Sequence, residues 1–226
     1  MESILFHGSD KIIQNPTKAG GKVHNDFGQG FYCTPDIELA REWACSKEPS
    51  AFVNHYSFEP DSNLNVCNLS GREYHVLNWI AVLISNRVFD TPHAPTREIK
   101  EYILSEFLPD VSGADIIRGY RADDSYFSIA KSFLQGTLTV KWLDRALRLG
   151  NLGEQVFLQS QRAFEALVFV SSEPVEKSIY YPKRLRRDSD ARRAFADIEG
   201  AGMGADGMFA LDILRNKIKN DDLRLR

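Results

Sequence analysis

Apolar residues follow two rhythms along this chain, one short and strand-like, the other helical. Ile4-Leu5-Phe6 is a short apolar run closed by His7 and Gly8, and it predicts a buried strand. Residues 14–25, rich in Pro, Gly, Lys and Asn, read as a loop. Phe31-Tyr32 opens a second strand whose adjacent rings must point to opposite faces, so one can enter a core while the other lines a cleft. Thr34-Pro35-Asp36 has the form of a helix start, with a hydroxyl at the N-cap and proline in the first turn. Ile37, Ala40, Trp43 and Ala44 then share one face of a helix running to about Glu48. Residues 51–58 and 64–69 alternate as strands joined around Pro60. Ser70-Gly71-Arg72-Glu73 reads as a capping box opening a helix to about Arg87, with Leu77, Ile80, Ala81 and Ile84 buried and His75 exposed.

A break at residues 91–95 precedes a helix from Thr96 that carries Ile99, Ile103 and Phe107 at helical spacing. Residues 114–120 return to strand. Asp123-Asp124 starts a helix through Leu134, and Thr139 caps another with Leu143, Ala146 and Leu147 inward. Residues 154–160 and 166–170 read as two strands that pair with each other. Beyond Pro182 the pattern changes: residues 183–193 hold six basic and two acidic side chains, residues 200–204 form a flexible joint, and residues 208–218 suit a short amphipathic helix. These shifts divide the chain into a main unit, residues 1–181, and a basic helical extension, residues 182–226. The fold class expected is α+β.

Composition narrows the picture without naming a chemistry. A length of 226 residues suits one well-packed domain with a small appendage. The formal charge of −3 gives no global attraction to nucleic acid or anionic membrane, so the basic run is either a solvated helix face or a local patch for RNA, DNA or an acidic inhibitor. Cys33, Cys45 and Cys67 show no metal-ligand spacing and no even disulfide set, which predicts buried thiols in a reducing compartment and no metal. The amino terminus lacks the basic flank and apolar run of a signal peptide, and no apolar segment approaches the ~20 residues that cross a bilayer. A cytoplasmic protein without a membrane partner is expected.

The candidate chemistry gathers around Phe6-His7-Gly8-Ser9 and Asn25-Asp26-Phe27-Gly28-Gln29-Gly30-Phe31-Tyr32-Cys33-Thr34. Gly8 and Ser9 leave backbone open beside the His7 ring, and Gly28 and Gly30 let the chain bend or a ligand approach. Asp123-Asp124 fits an N-cap; a second reading puts Arg121, Asp124 and Tyr126 at a cleft rim, touching substrate or cofactor. Residues 5–9, 26–34 and 39–44 together resemble the front half of ADP-ribosyltransferases of the diphtheria-toxin and poly-ADP-ribose-polymerase type. In more detail the chain is similar to a compact bacterial branch associated with toxin–antitoxin pairs, with residues 119–127 and 152–158 adding to the likeness, which spans residues 3 to 171.

The resemblance implies an α+β fold with a split, mostly antiparallel sheet and inserted helices. It implies NAD as co-substrate and transfer of one ADP-ribose to a macromolecule, whether RNA, DNA or protein, with the basic tail favouring nucleic acid. A bacterial toxin held silent by a cognate antitoxin, or a phage-defence component, is the biology that goes with it. His7 would hold a ribose hydroxyl, the Gly8 backbone would bind the nicotinamide amide, and Tyr32 would stack on the ring, with Ser9 and Phe31 beside them. Trp43 stands where relatives carry a second aromatic. The chemistry also needs a carboxylate at the start of a late strand, because breaking the nicotinamide–ribose bond builds positive charge on the ribose. Glu154 supplies one in one register; in the other, Gln155 occupies the position. Only one of these neighbours can face the cleft. With Gln155 there, the site lacks its carboxylate: catalysis is weak, another acid substitutes, or the chain is an inactive module that binds NAD or ADP-ribose and acts through partners.

Overall fold

The computed structural model describes residues 3–59, 63–89, 93–122, 124–147, 153–200 and 207–225. In chain order the elements are β1 (Ser3–Ser9), β2 (Phe31–Cys33), α1 (Ile37–Ala44), β3 (Phe52–Phe58), β4 (Val66–Asn68), α2 (Val76–Asn86), α3 (Ala94–Phe107) and β5 (Ile116–Tyr120). There follow α4 (Asp124–Leu134), α5 (Val140–Leu147), β6 (Glu154–Leu158), α6 (Gln161–Glu165), β7 (Leu167–Pro174), α7 (Lys177–Gly200) and α8 (Ala210–Arg215).

The strands form two sheets, ordered β1-β3-β7 and β2-β6-β5-β4. The first is antiparallel throughout; the second is mixed, because β4 runs parallel to β5. Among the described residues the backbones of the two sheets join at one rung, where Phe6 and Thr34 exchange hydrogen bonds of 2.8 and 2.9 Å. The fold is α+β.

Strand alternation builds two cores. Leu5, Tyr56 and Phe58 of the first sheet meet Phe31, Cys33, Ile116, Val156 and Leu158 of the second, with Ala163 of α6 closing the wedge. On the other face of the second sheet, Ile117 and Phe157 carry a larger core with α2, α3, α4, α5 and α8. Helix α2 is buried on every side from Leu77 to Ile84, as its nearly all-apolar sequence requires.

Several boundaries differ from the sequence reading. Helix α1 is capped by Asp36, whose carboxylate accepts the Glu38 and Leu39 N–H groups at 2.9 and 3.3 Å. Thr34 cannot take that place, because its backbone is committed to Phe6. Helix α2 begins at Val76: the Asn78 side chain accepts the His75 N–H at 2.9 Å, while Ser70 to Glu73 stay in turns. His75 is half-buried rather than exposed, with Nε2 3.2 Å from the Asn220 carbonyl oxygen. Residues 52–58 and 66–68 lie in different sheets and make no hairpin. Residues 167–174 pair with β3 and not with β6. The cause is α6, capped by Ser160 Oγ accepting the Ala163 N–H at 3.1 Å, which turns the chain from one sheet to the other.

The division read at residue 182 falls inside α7. Ala191, Ala210, Ile213, Ile218 and Leu225 belong to the larger core, so the carboxy-terminal segment completes that core. The joint read at residues 200–204 falls mostly outside the described residues. Among the described residues no helix is long and apolar enough to cross a membrane. All three cysteines are buried and free.

Candidate functional site

The site begins where the two sheets part. Past the Phe6–Thr34 rung, an uninterrupted antiparallel ladder would put Gly8 opposite Tyr32. The His7 imidazole takes that place instead, with Nδ1 2.6 Å from the Tyr32 carbonyl oxygen. A carbonyl can only accept, so Nδ1 carries the hydrogen and Nε2 keeps its lone pair. Nε2 has no partner among the described residues. Phe31 stacks on the ring at 4.3 Å between centroids. Burial pushes the His7 pKa below its ordinary 6.5 against smaller opposing effects from the Tyr32 carbonyl and Asp10, so the ring is neutral at neutral pH.

Ladder geometry also fixes where the Gly8 backbone points. Phe6 directs its N–H and C=O toward β2, and alternate residues of a strand share an edge. The Gly8 N–H and C=O therefore face the same gap, where neither has a backbone partner among the described residues. The other constraint on Gly8 is α1, packed so closely that a Cβ would overlap the Ala40 carbonyl and the Ala44 nitrogen. Only glycine fits there.

The late strand β6 brings up one acid, Glu154, beside Gln155. Cys33 pairs with Val156 and Phe31 with Leu158, so Glu154, two residues before Val156, lies on the face that carries Phe31 and His7. Glu154 is half-buried, and its Oε2 accepts from Arg118 Nη2 at 2.9 Å. Gln155 points the opposite way and is 2% exposed. Its amide donates to Asp26 Oδ2 at 3.1 Å and to the Tyr120 carbonyl at 3.3 Å. The two registers are thus distinguished by position: Glu154 on the His7 face, Gln155 in the interior behind it.

Tyr32 lies on the Gln155 face, with its ring 4.7 Å from that of Phe157. Its hydroxyl donates to the Gly28 carbonyl at 2.7 Å and accepts the Phe27 N–H at 3.0 Å, closing the loop that leads into β2. Burial pushes its pKa well up. Gly28 holds a φ of +91°, the left-handed region open to glycine. Beneath this loop Asp26 is buried, 2.7 Å from Arg87 and accepting the Ala122 N–H at 2.9 Å. Burial pushes the Asp26 carboxyl up against the pull of Arg87 and these donors. The Asp26–Arg87–Gln155 cluster ties the loop to α2, β5 and β6. Sequence reasoning missed it as a unit; its only local signal was an acid directly before Phe27-Gly28.

Of the remaining sequence candidates, Trp43 and Arg121 sit apart from the split. Trp43 is half-buried under the Arg121 guanidinium, 4.5 Å from the ring centroid. The two line a cavity of about 320 Å³ with Lys47, Tyr181 and Arg184, and His7, Tyr32 and Glu154 do not line it. Ser9 Oγ is engaged locally, donating to Asp10 at 3.3 Å and accepting the Lys11 N–H at 3.2 Å. Asp124 and Tyr126 stand in the first turn of α4, their side chains outside what is described. Among the described residues no group of His, Cys, Asp and Glu is placed to hold a metal.

Residues 3–169 match the family described as a protein of unknown function (DUF3990), and the chain belongs to that family. The matched stretch carries His7, Gly8, Tyr32 and Glu154 and ends within β7, leaving α7 and α8 beyond it. No curated protein and no solved structure matches the chain.

Proposed function

We propose that this protein is an NAD-dependent mono-ADP-ribosyltransferase acting on a macromolecule, nucleic acid before protein, and that it inhibits growth unless a cognate antitoxin holds it silent. The observation that carries this reading is the interrupted ladder at His7. One donor and one acceptor, the Gly8 N–H and C=O, face the gap together, and that pair complements a carboxamide such as nicotinamide's. The His7 Nε2 lone pair suits a ribose hydroxyl beside it. Glu154 stands on the same sheet face, four residues along β6 from the Leu158 that pairs with Phe31, and is the carboxylate called for by the positive charge that develops on the ribose.

In the reaction the ribose–nicotinamide C–N bond breaks and its electron pair leaves with nicotinamide. An acceptor oxygen or nitrogen bonds to the same carbon and loses its proton. Arg118 orients one Glu154 oxygen and leaves Oε1 for the substrate. One observation favours the rival reading, a module that binds NAD or ADP-ribose without turnover: the same Arg118 contact partly neutralises the acid. A single experiment separates the two. Purified protein is incubated with labelled NAD and, separately, RNA, DNA and cell protein. Labelling of one pool, lost by about 10²–10³ in Glu154→Gln, supports transfer. NAD binding with no labelled pool would establish the inactive module, and absence of both would sink the reading.

A further inference from the structure

A second concavity lies on the far side of β5. It measures about 1170 Å³ and is walled by the turn before α2, the end of β5, helix α5 and the carboxy terminus. That exceeds the roughly 300–1,000 Å³ of an ordinary small-ligand pocket. Its charge is lopsided: Arg72, Lys141, Arg145 and Arg224 stand around it, against the Asp144 carboxylate in the lining and the Asp222 carboxylate that pairs with Arg224. In a chain of net charge −3 this is a local concentration and not a reflection of composition. Two of the cations are held in place, Arg145 over the Trp142 ring at 4.8 Å and Arg224 against Asp222 at 2.5 Å.

Between the charges lie flat apolar surfaces. Tyr74 and Tyr120 are half-buried and Trp79 is buried behind them. Their setting is fixed: the Tyr74 hydroxyl meets Cys67 Sγ at 3.5 Å, and Trp79 Nε1 donates to the Tyr120 carbonyl at 3.0 Å. Cations that track phosphates, with rings between them on which bases stack, are the requirements for holding single-stranded nucleic acid. A duplex hides its base faces, and an acidic peptide would use the charges and leave the rings idle. Tyr120 is also the Cα partner of Glu154 in the β5–β6 ladder. The wall of the groove and the carboxylate therefore stand at the same level on adjacent strands.

We infer that this groove binds a single-stranded polynucleotide. As the place where the acceptor is held, it rests on the transferase reading above; as a binding site, it is tested without it. Fluorescence anisotropy is recorded with a labelled oligothymidylate of about ten nucleotides, an oligouridylate of the same length and a polyglutamate of matched charge. The oligonucleotides are expected to bind with affinity that falls steeply with salt. Arg72→Glu with Arg145→Glu should weaken them by more than about tenfold, and Tyr120→Ala should also weaken them with unchanged circular dichroism. Polyglutamate binding equal to that of the oligonucleotides, or oligonucleotide binding indifferent to these variants, overturns the inference. His7→Asn separates the two claims: oligonucleotide binding kept while NAD-dependent labelling is lost supports both. Binding without labelling in the unaltered protein leaves the groove standing and removes the transferase.

Discussion

The His7 imidazole bonds the Tyr32 carbonyl where the next rung of a β-ladder would form, and so opens a gap beside Gly8. Its folded-state pKa lies below the unfolded 6.5, so the unfolded chain takes up the proton first as pH falls. The stability it contributes is complete above about 6.5 and is lost as pH drops from there through the folded value. His7→Asn keeps a donor for the Tyr32 carbonyl but cannot titrate. Urea unfolding across pH 7 to 5 should therefore show a shallower loss of stability in His7→Asn than in wild type, with labelling from NAD abolished. Gln155 invites the opposite expectation. Gln155→Ala removes a donor from the buried Asp26 carboxylate and should cost about 1–3 kcal/mol in unfolding. Labelling per folded molecule should stay within about threefold of wild type, because the side chain is on the face away from His7; a loss as deep as that of Glu154→Gln would reverse the two assignments.

At the scale of elements, α1 connects the split to the carboxy-terminal helix. On one side it presses on Gly8; on the other it is clamped by α7. The Glu42 carboxylate, 4% exposed, meets Arg187 Nε and Nη2 at 2.7 Å each. Arg41 bridges to Glu173, and Lys183 reaches Glu38. The exposed members of this network add little, since surface ion pairs are each worth about 0–1 kcal/mol. The buried one matters more. Arg187→Ala leaves Glu42 without its cation and should destabilise by about 3 kcal/mol, the low end of the range because Arg187 keeps a quarter of its side chain exposed. Arg187→Met combined with Glu42→Leu should recover most of that in a thermal melt. Failure of the double variant to recover would mean that Arg187 acts through contacts other than Glu42.

For the whole molecule, the tail is structural whatever else it does. Ending the chain at residue 206 removes Ile213, Ile218 and Leu225 from the larger core. At about 1.5–3 kcal/mol for each buried aliphatic side chain, that approaches the roughly 5–15 kcal/mol total of an ordinary domain. The truncated protein should lack a cooperative melting transition by calorimetry. A sharp, near-native melt would show that residues 3–200 fold alone.

What could be read from the sequence was what depends on near neighbours. The apolar run at Ile4-Leu5-Phe6, the helical stripe of α3 and the strand beginning at Glu154 are local patterns, and backbone geometry turns them into elements without help from elsewhere. The alternation that opposes Phe31 to Tyr32, and Glu154 to Gln155, was also legible as a rule, because adjacent strand residues must diverge. Which member of each pair faces which core was not legible, since that depends on the sheet into which the strand is inserted. Tertiary structure alone decided that β7 joins β3, because a five-residue helix is too short to leave a periodic signal. It decided the Asp26–Arg87 pairing and the burial of the tail for a related reason: both join segments far apart in sequence, and no window of local pattern contains both partners. The helix start misread at Thr34 shows the same division. A capping side chain can be recognised in sequence, but whether its backbone is free to cap depends on what the rest of the fold has already bonded to it.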